Sequence, residues 1–203
     1  MENFVIAIGR QYGSRGRQIA KEIADRLGAA YYDRKLIQEA AAEFGYAKEL
    51  FDKADEKRPS FLRSLLSLNY GSQNNYVADS LSSESLYRKQ SDVIRRLASK
   101  EGCVFVGRTA DYVLRDHPRM LSLFIHAPIE RRVEEIIRRG DCADRDEAIE
   151  LANKIDRSRH DYYNYYTNRS WGDADNYHLT FDSSIFTADD IVSLLLKQKI
   201  LTD

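Results

Sequence analysis

A chain of 203 residues, 43% hydrophobic and 31% charged, is long enough for one domain with a substantial core. Its formal net charge of -1 argues against a nucleic-acid coat or a membrane-surface protein, and no apolar run approaches the ~20 residues of a membrane span. Cys103 and Cys142 stand apart without metal spacing and the first residues carry no basic-then-apolar leader, so a reduced, cytoplasmic protein is expected rather than a disulfide framework.

Residues 4–8 (FVIAI) form the β-branched apolar run of a buried parallel strand. A loop punctuated by Gly9, Gly13 and Gly16 follows. Ile19, Ile23 and Leu27, with Ala20 and Ala24, then keep helical spacing up to Gly28. Residues 29–33 (AAYYD) read as a second strand and 35–44 (KLIQEAAAEF) as a helix. Residues 46–75 are less regular, with a charged helical piece over 48–57, Pro59, then FLRSLLSL. The polar, Ser/Asn-rich stretch 71–85 reads as a loop or mobile arm. Helical spacing returns over 86–100 through Val93, Ile94 and Leu97.

Residues 103–107 (CVFVG) are the clearest buried strand of the middle of the chain. ADYVLRD makes a short helix or turn, and 120–127 (MLSLFIHA) another buried strand. Pro128 suits the first turn of a helix over 129–139, and a second helix spans about 144–163. HLTFD (178–182), a Ser-Ser turn and a helix over 188–197 complete the series. Strands alternating with helices predict a parallel sheet with helices on both faces.

Strand, glycine loop and helix, in that order, is the layout in which backbone N–H groups and a helix N-terminus cradle phosphate. The strict pattern G-x-x-x-x-G-K-[ST] is not met, because no Gly-Lys pair occurs in the chain. The glycines alone leave two readings open, a phosphate cradle and a plain strand-to-helix turn. Arg10, Arg15 and Arg17 favour the cradle, since guanidiniums gathered at a helix N-terminus repel one another and the dipole until an anion arrives. Merely solvated arginines are the alternative.

Four segments together resemble the cytidylate kinase-like family, relatives of bacterial cytidylate kinases among the P-loop nucleoside monophosphate kinases. They are RQYGSRGRQIAKEIADRLG (10–28), YYDRKLI (31–37), CVFVGRTADYVLRD (103–116), and FIHAPIERRVEEIIRRG (124–140) continuing to KIDRSRHDYYNYYT (154–167), with HLTFDSS (178–184) as the last strand. The resemblance implies a three-layer αβα fold around a central parallel sheet. It also implies a core over about 1–45 and 100–203, a helical acceptor-binding insert over about 46–99, and a lid over about 138–172.

The same resemblance implies transfer of the γ-phosphoryl group of ATP, with Mg2+, to a nucleoside monophosphate, CMP or dCMP by default. Gly13, Ser14 and Gly16 then supply backbone donors to the ATP phosphates, with Arg10, Arg15, Arg17 and Gln18 around them. Beside an ordinary cytidylate kinase loop, Gly16 falls where the lysine stands, Arg15 on a neighbouring glycine and Gln18 on the Mg2+-binding hydroxyl. Arg17 is cast in the lysine's place, although a planar fork is not a point ammonium. Gln18 is a poor ligand for a hard cation, so no metal ligand is assigned.

Arg108 resembles the arginine that grips the acceptor's phosphate. Asp33 and Asp111 are candidates for contacts with base or sugar; helix capping is the other reading of both, and solvent exposure a further one of Asp111. Arg157 and Arg159 resemble the lid arginines, which with Arg17 make the expected catalytic set. Asp182, Ser183 and Ser184 fall near the adenine side, where a turn explains them equally.

Arg138, Arg139 and Lys154 read as solvated helix-face charges at least as well as helpers, and Asp156 as a local ion-pair partner of Arg157. The run DYYNYYTNRSWGDADNY suits either an RNA-stacking platform or packing of the lid on the body. Its acidic borders favour packing, so neither nucleic acid nor membrane is an expected partner, and the oligomeric state is left open. The four histidines have no ligand spacing. Two functions of different class stay open: a kinase, for a nucleoside monophosphate or another small acceptor, and a kinase-like fold that binds nucleotide as a sensor without transferring phosphate.

Overall fold

A computed structural model describes residues 3–44 and 76–197. Its strands are β1 (Val5–Arg10), β2 (Ala30–Tyr32), β3 (Cys103–Val106), β4 (Met120–His126) and β5 (Leu179–Asp182). They form one sheet in the order β2-β3-β1-β4-β5, and every pairing is parallel. Its helices are α1 (Gly16–Leu27), α2 (Arg34–Glu43), α3 (Tyr76–Ala98), the single turn α4 (Ala110–Val113), α5 (Ile129–Arg138), α6 (Arg145–Thr167) and α7 (Ala188–Leu195).

Because side chains alternate across a strand, the two faces of the sheet receive different residues. Ile6, Ile8, Val104, Val106, Leu123, Ile125 and Phe181 meet Ile19 and Ile23 of α1 and Ile191 and Leu195 of α7. Val5, Ala7, Cys103 and Phe105 fill the opposite face and are equally buried. Burial on both faces is why these strands read as unbroken apolar runs rather than alternating ones. The result is the three-layer, P-loop kinase-like architecture expected from the sequence.

Residues 1–33 and 97–203 form one compact unit and 34–96 another. In the second, Ile37, Ala41, Val93 and Ile94 are fully buried, and the Arg96 guanidinium lies 5.5 Å over the Phe44 ring. In the first, α5 and α6 pack through Val133, Ile136, Ala148 and Ala152. Trp171 and Tyr177 pack on Phe124 of β4 with centroids 5.2 and 5.0 Å away, and Tyr163 stacks on Tyr177.

Two element expectations change. The stretch 71–85 is not a loop throughout, because α3 begins at Tyr76. No glycine or proline lies between Gly71 and Gly102, and serine disfavours a helix only weakly. Likewise α6 continues four residues past the expected end, to a left-handed stop at Asn168. The helical piece expected at 48–57 and the FLRSLLSL segment fall outside the described residues. No helix among the described residues is long and apolar enough to cross a membrane.

Candidate functional site

The parallel register brings the C-terminal ends of β1, β2 and β3 together, with Ile8 opposite Val106 and Tyr32 opposite Phe105. Arg10, Asp33 and Arg108, each at or just beyond a strand end, therefore share one edge of the sheet. This is where open α/β folds place ligands.

The loop from β1 to α1 turns through left-handed backbone at Gly13 (φ 78°) and Arg15 (φ 57°). A Cβ at Gly13 would sit 2.6 Å from the Arg132 carbonyl oxygen, and one at Gly16 would sit 2.6 Å from Arg10 Cβ, so both positions demand glycine. The first N–H groups of α1 have no intrahelical acceptor. The Arg15 side chain does not cap them, and no acidic residue occupies the first turn. A helix end with neither a side-chain cap nor an acidic residue is one that favours an anion.

Ser14 is buried, its hydroxyl donating to the carbonyls of Gln11 (2.9 Å) and Ile125 (3.2 Å). Its own carbonyl accepts from the Ser183 hydroxyl at 2.8 Å. Ser183 thus fastens the loop to the end of β5. Asp182 and Ser184 instead close a local turn, the carboxylate accepting from both the amide and the hydroxyl of Ser184.

The Arg10 side chain lies against Gly107, whose missing Cβ leaves room for the guanidinium. Among the described residues it forms no hydrogen bond and no ion pair. Burial, then the like charges of Arg159 and Arg108, pull its pKa down to about 9. Arg108 is presented by three consecutive left-handed residues, Gly107, Arg108 and Thr109. At the two non-glycine positions such backbone stores about 1–3 kcal/mol each, a form of strain that gathers at functional sites. The Arg108 guanidinium stands 5.7 Å over the Tyr162 ring of α6.

The remaining arginines separate. Arg159 reaches back across the loop, donating to the Arg10 carbonyl at 2.8 Å and lying 5.6 Å over the Tyr12 ring. Arg157, two residues earlier on the same helix, is exposed and outside this group, as residues i and i+2 never share a helix face. Arg15 is exposed. Arg17 is engaged elsewhere: its guanidinium meets the buried Asp33 carboxylate at 2.6 Å. The Tyr31 hydroxyl lies beside that guanidinium and is buried, and among the described residues no group is aligned to close a hydrogen bond with it.

Gln18 turns along its own helix to Glu22 at 3.0 Å. Asp111 is buried, not exposed, and its carboxylate accepts from the Tyr163 hydroxyl at 2.7 Å; burial pushes its pKa up. Among the described residues no group of three or more His, Cys, Asp or Glu could hold a metal ion.

Asp156 was read as a local ion-pair partner of Arg157, but its partners are Tyr12, Arg132 and Arg159, and Arg132 is what the sequence reading missed. Asp156 accepts from the Tyr12 amide (2.7 Å) and from Arg132 Nη1 (2.5 Å), with Arg159 Nη1 at 3.4 Å. Asp156 and Arg159 at i, i+3 were a legible pair. Arg132, 24 residues upstream, gave no signal beyond its place on the helix after Pro128.

None of the curated proteins compared matches this sequence. Among solved structures, an uncharacterized protein from Eubacterium ventriosum is 24% identical with a TM-score of 0.70, over 96% of this chain and 97% of that one. Shikimate kinase from Bacteroides thetaiotaomicron shares the fold at 11% identity and a TM-score of 0.53, over 96% of this chain and 97% of that chain. The cytidylate kinase-like family matches residues 5–185, from the first strand to the turn after the last, and the chain belongs to that family.

Proposed function

We propose that the protein transfers the γ-phosphoryl group of ATP to a nucleoside monophosphate, CMP or dCMP first among the candidates. The observation that carries this reading is Arg10: a half-buried guanidinium with no ion pair among the described residues, close enough to Arg159 and Arg108 to feel both charges, beside a helix N-terminus without a side-chain cap. Arg10, Arg159 and Arg108 gather positive charge that the nearby carboxylates, Asp156 on Arg159 and Asp33 acting on Arg10, only partly offset, which makes the site complementary to a polyphosphate. Phosphoryl transfer asks chiefly for positioning and for neutralisation of charge on the transferred group.

In this reading the N–H groups around Gly13 and Gly16 hold the ATP phosphates, while Arg10 takes the role first assigned to Arg17. Among the described residues Arg10 has no ion pair, whereas Arg17 is spent on Asp33. Arg159 approaches from α6 and Arg108 from the end of β3, so charge is met from both sides. Asp33, fixed by Arg17 next to Tyr31, orients the acceptor. Arg15 and Arg157, exposed and without an ion pair among the described residues, join only if the bound phosphates draw them in. Asp111, Asp182 and Ser184 keep structural partners, and Ser183 acts through the loop carbonyl it holds. The described residues do not compose a resident metal site, since Gln18 is bonded to Glu22 and Asp33 to Arg17. Mg2+ would arrive and leave on the ATP phosphates, as this strongly hydrated ion usually does.

A second reading is a nucleotide-binding sensor without transfer. It is favoured by the absence of the loop lysine and of the hydroxyl after it. An ADP-release assay across CMP, dCMP, UMP, AMP and GMP, paired with ATP calorimetry, decides between them. Turnover on one monophosphate supports the kinase. Tight ATP binding without turnover on any of them supports the sensor, and no binding at all defeats both.

A further inference from the structure

Asp156 is the only carboxylate among the described residues that touches the loop backbone, and it stands beside a site built to attract anions. Its Oδ1 accepts from the Tyr12 amide and lies 3.4 Å from Arg159 Nη1; its Oδ2 takes Arg132 Nη1 at 2.5 Å. The same Arg132 Nη1 lies 3.3 Å from the Tyr12 carbonyl oxygen, and the same Arg159 Nη1 donates to the Arg10 carbonyl. Both backbone groups of residue 12 and the carbonyl of residue 10 are thereby held by one carboxylate and the two arginines it pairs. The Arg132 side chain is only 8% exposed and that of Asp156 14%. Water therefore screens the arrangement little, and without Asp156 the two guanidiniums would repel each other.

We propose that Asp156 is a positioning residue, which fixes Arg159 over the loop and the loop's first turn against α5 so that the anion site stands ready before any ligand binds. This rests on the reading of that site as one for phosphate. The alternative is a negative charge kept only to hold two helices together. The two differ in sign. Through space, a carboxylate near an anion site weakens anion binding, so removing it should tighten the complex. If Asp156 acts by holding Arg159 and the loop, removing it loosens the complex despite the lost repulsion.

The test is Asp156→Asn in the full chain, with calorimetry of inorganic triphosphate and of ATP, and hydrogen exchange at the Tyr12 amide. Expected are triphosphate binding weaker by about tenfold or more, the worth of a charge-assisted contact, and faster Tyr12 exchange, with both partly recovered in Asp156→Glu. Unchanged or tighter triphosphate binding with a folded protein overturns the proposal. Should Asp156→Asn not fold, Arg132→Lys keeps the charge but loses the fork, and unaltered binding there overturns it as well. If the wild-type chain binds no triphosphate, the phosphate reading fails by itself. Tyr12 exchange then still tests the clamp, and an unprotected Tyr12 amide in the wild type would refute it.

Discussion

The charge on Arg10 is the most direct handle on this site. Its pKa falls from the ordinary 12.5 to about 9 through burial and then the neighbouring Arg159 and Arg108. At about 1.36 kcal/mol per pKa unit, keeping it charged costs the ligand-free protein on the order of 5 kcal/mol. At neutral pH the group is still protonated, since both its folded and unfolded values lie above 7, so the cost is present in full. Arg10→Met keeps length and packing against Gly107 but removes the charge. Residual water and lost aliphatic fit reduce the gain, and we expect a net stabilisation of about 1–2 kcal/mol. For a chain of this size that raises Tm by about 2–8 °C in a thermal melt. Triphosphate should raise Tm of the wild type, as any ligand selective for the folded state does, and should leave the variant unmoved. A variant that melts lower than the wild type yet still gains from triphosphate would refute the reasoning, because Arg10 would then be a structural cation with its needs already met.

Gly107→Ala attacks the same site from the other side. Its backbone is left-handed (φ 74°) and the new Cβ lands on the Arg10 guanidinium, so the variant should lose about 1–2 kcal/mol and triphosphate binding together. A melt and a calorimetric titration check both. For Arg17→Ala, the pairing with Asp33 predicts a KM increase for the acceptor that exceeds the increase for ATP. The reverse order in steady-state kinetics would restore Arg17 as the lysine's substitute. Burial holds the Asp156 pKa above its ordinary 3.8, so its ionised form costs stability at neutral pH and this contribution recovers as pH falls through the folded value. The same protonation takes the counter-charge from Arg132 and Arg159. Tyr12 amide protection is therefore expected to fall at a pH above 3.8 with no loss of stability from this group, and an acid limb kept by Asp156→Asn would rule the assignment out.

The sheet was legible because its strands are buried on both faces. FVIAI, CVFVG and MLSLFIHA can be little else, and their parallel order follows from helices placed between them. The glycine loop was legible as a shape, since Gly13 and Gly16 stand where only glycine clears Arg132 and Arg10. The assignment of arginines to tasks was not legible, for two physical reasons. Sequence proximity favoured Arg17, next to the lysine's place, but helical geometry swings it to Asp33. The guanidinium left without an ion pair among the described residues belongs to Arg10 at the end of a strand, where its surroundings cannot be read from one residue. Similarly Arg157 and Arg159 look equivalent in RSR, yet a helix sends them to different faces and only Arg159 returns to the loop.

The distant partners of Asp156 were hidden most completely, because Tyr12 and Arg132 lie 144 and 24 residues away and meet it only when α5 and α6 pack. That pattern bears on how the loop works without its lysine. An ordinary loop of this kind carries its cation on the helix that begins there. In this chain the cations converge from β1, the turn after β3 and α6, and Asp156 and Gly107 govern two of those approaches. On the proposed reading, readiness to bind phosphate belongs to the packed unit rather than to the loop, and any change that loosens α6 should weaken anion binding even where no loop residue is altered.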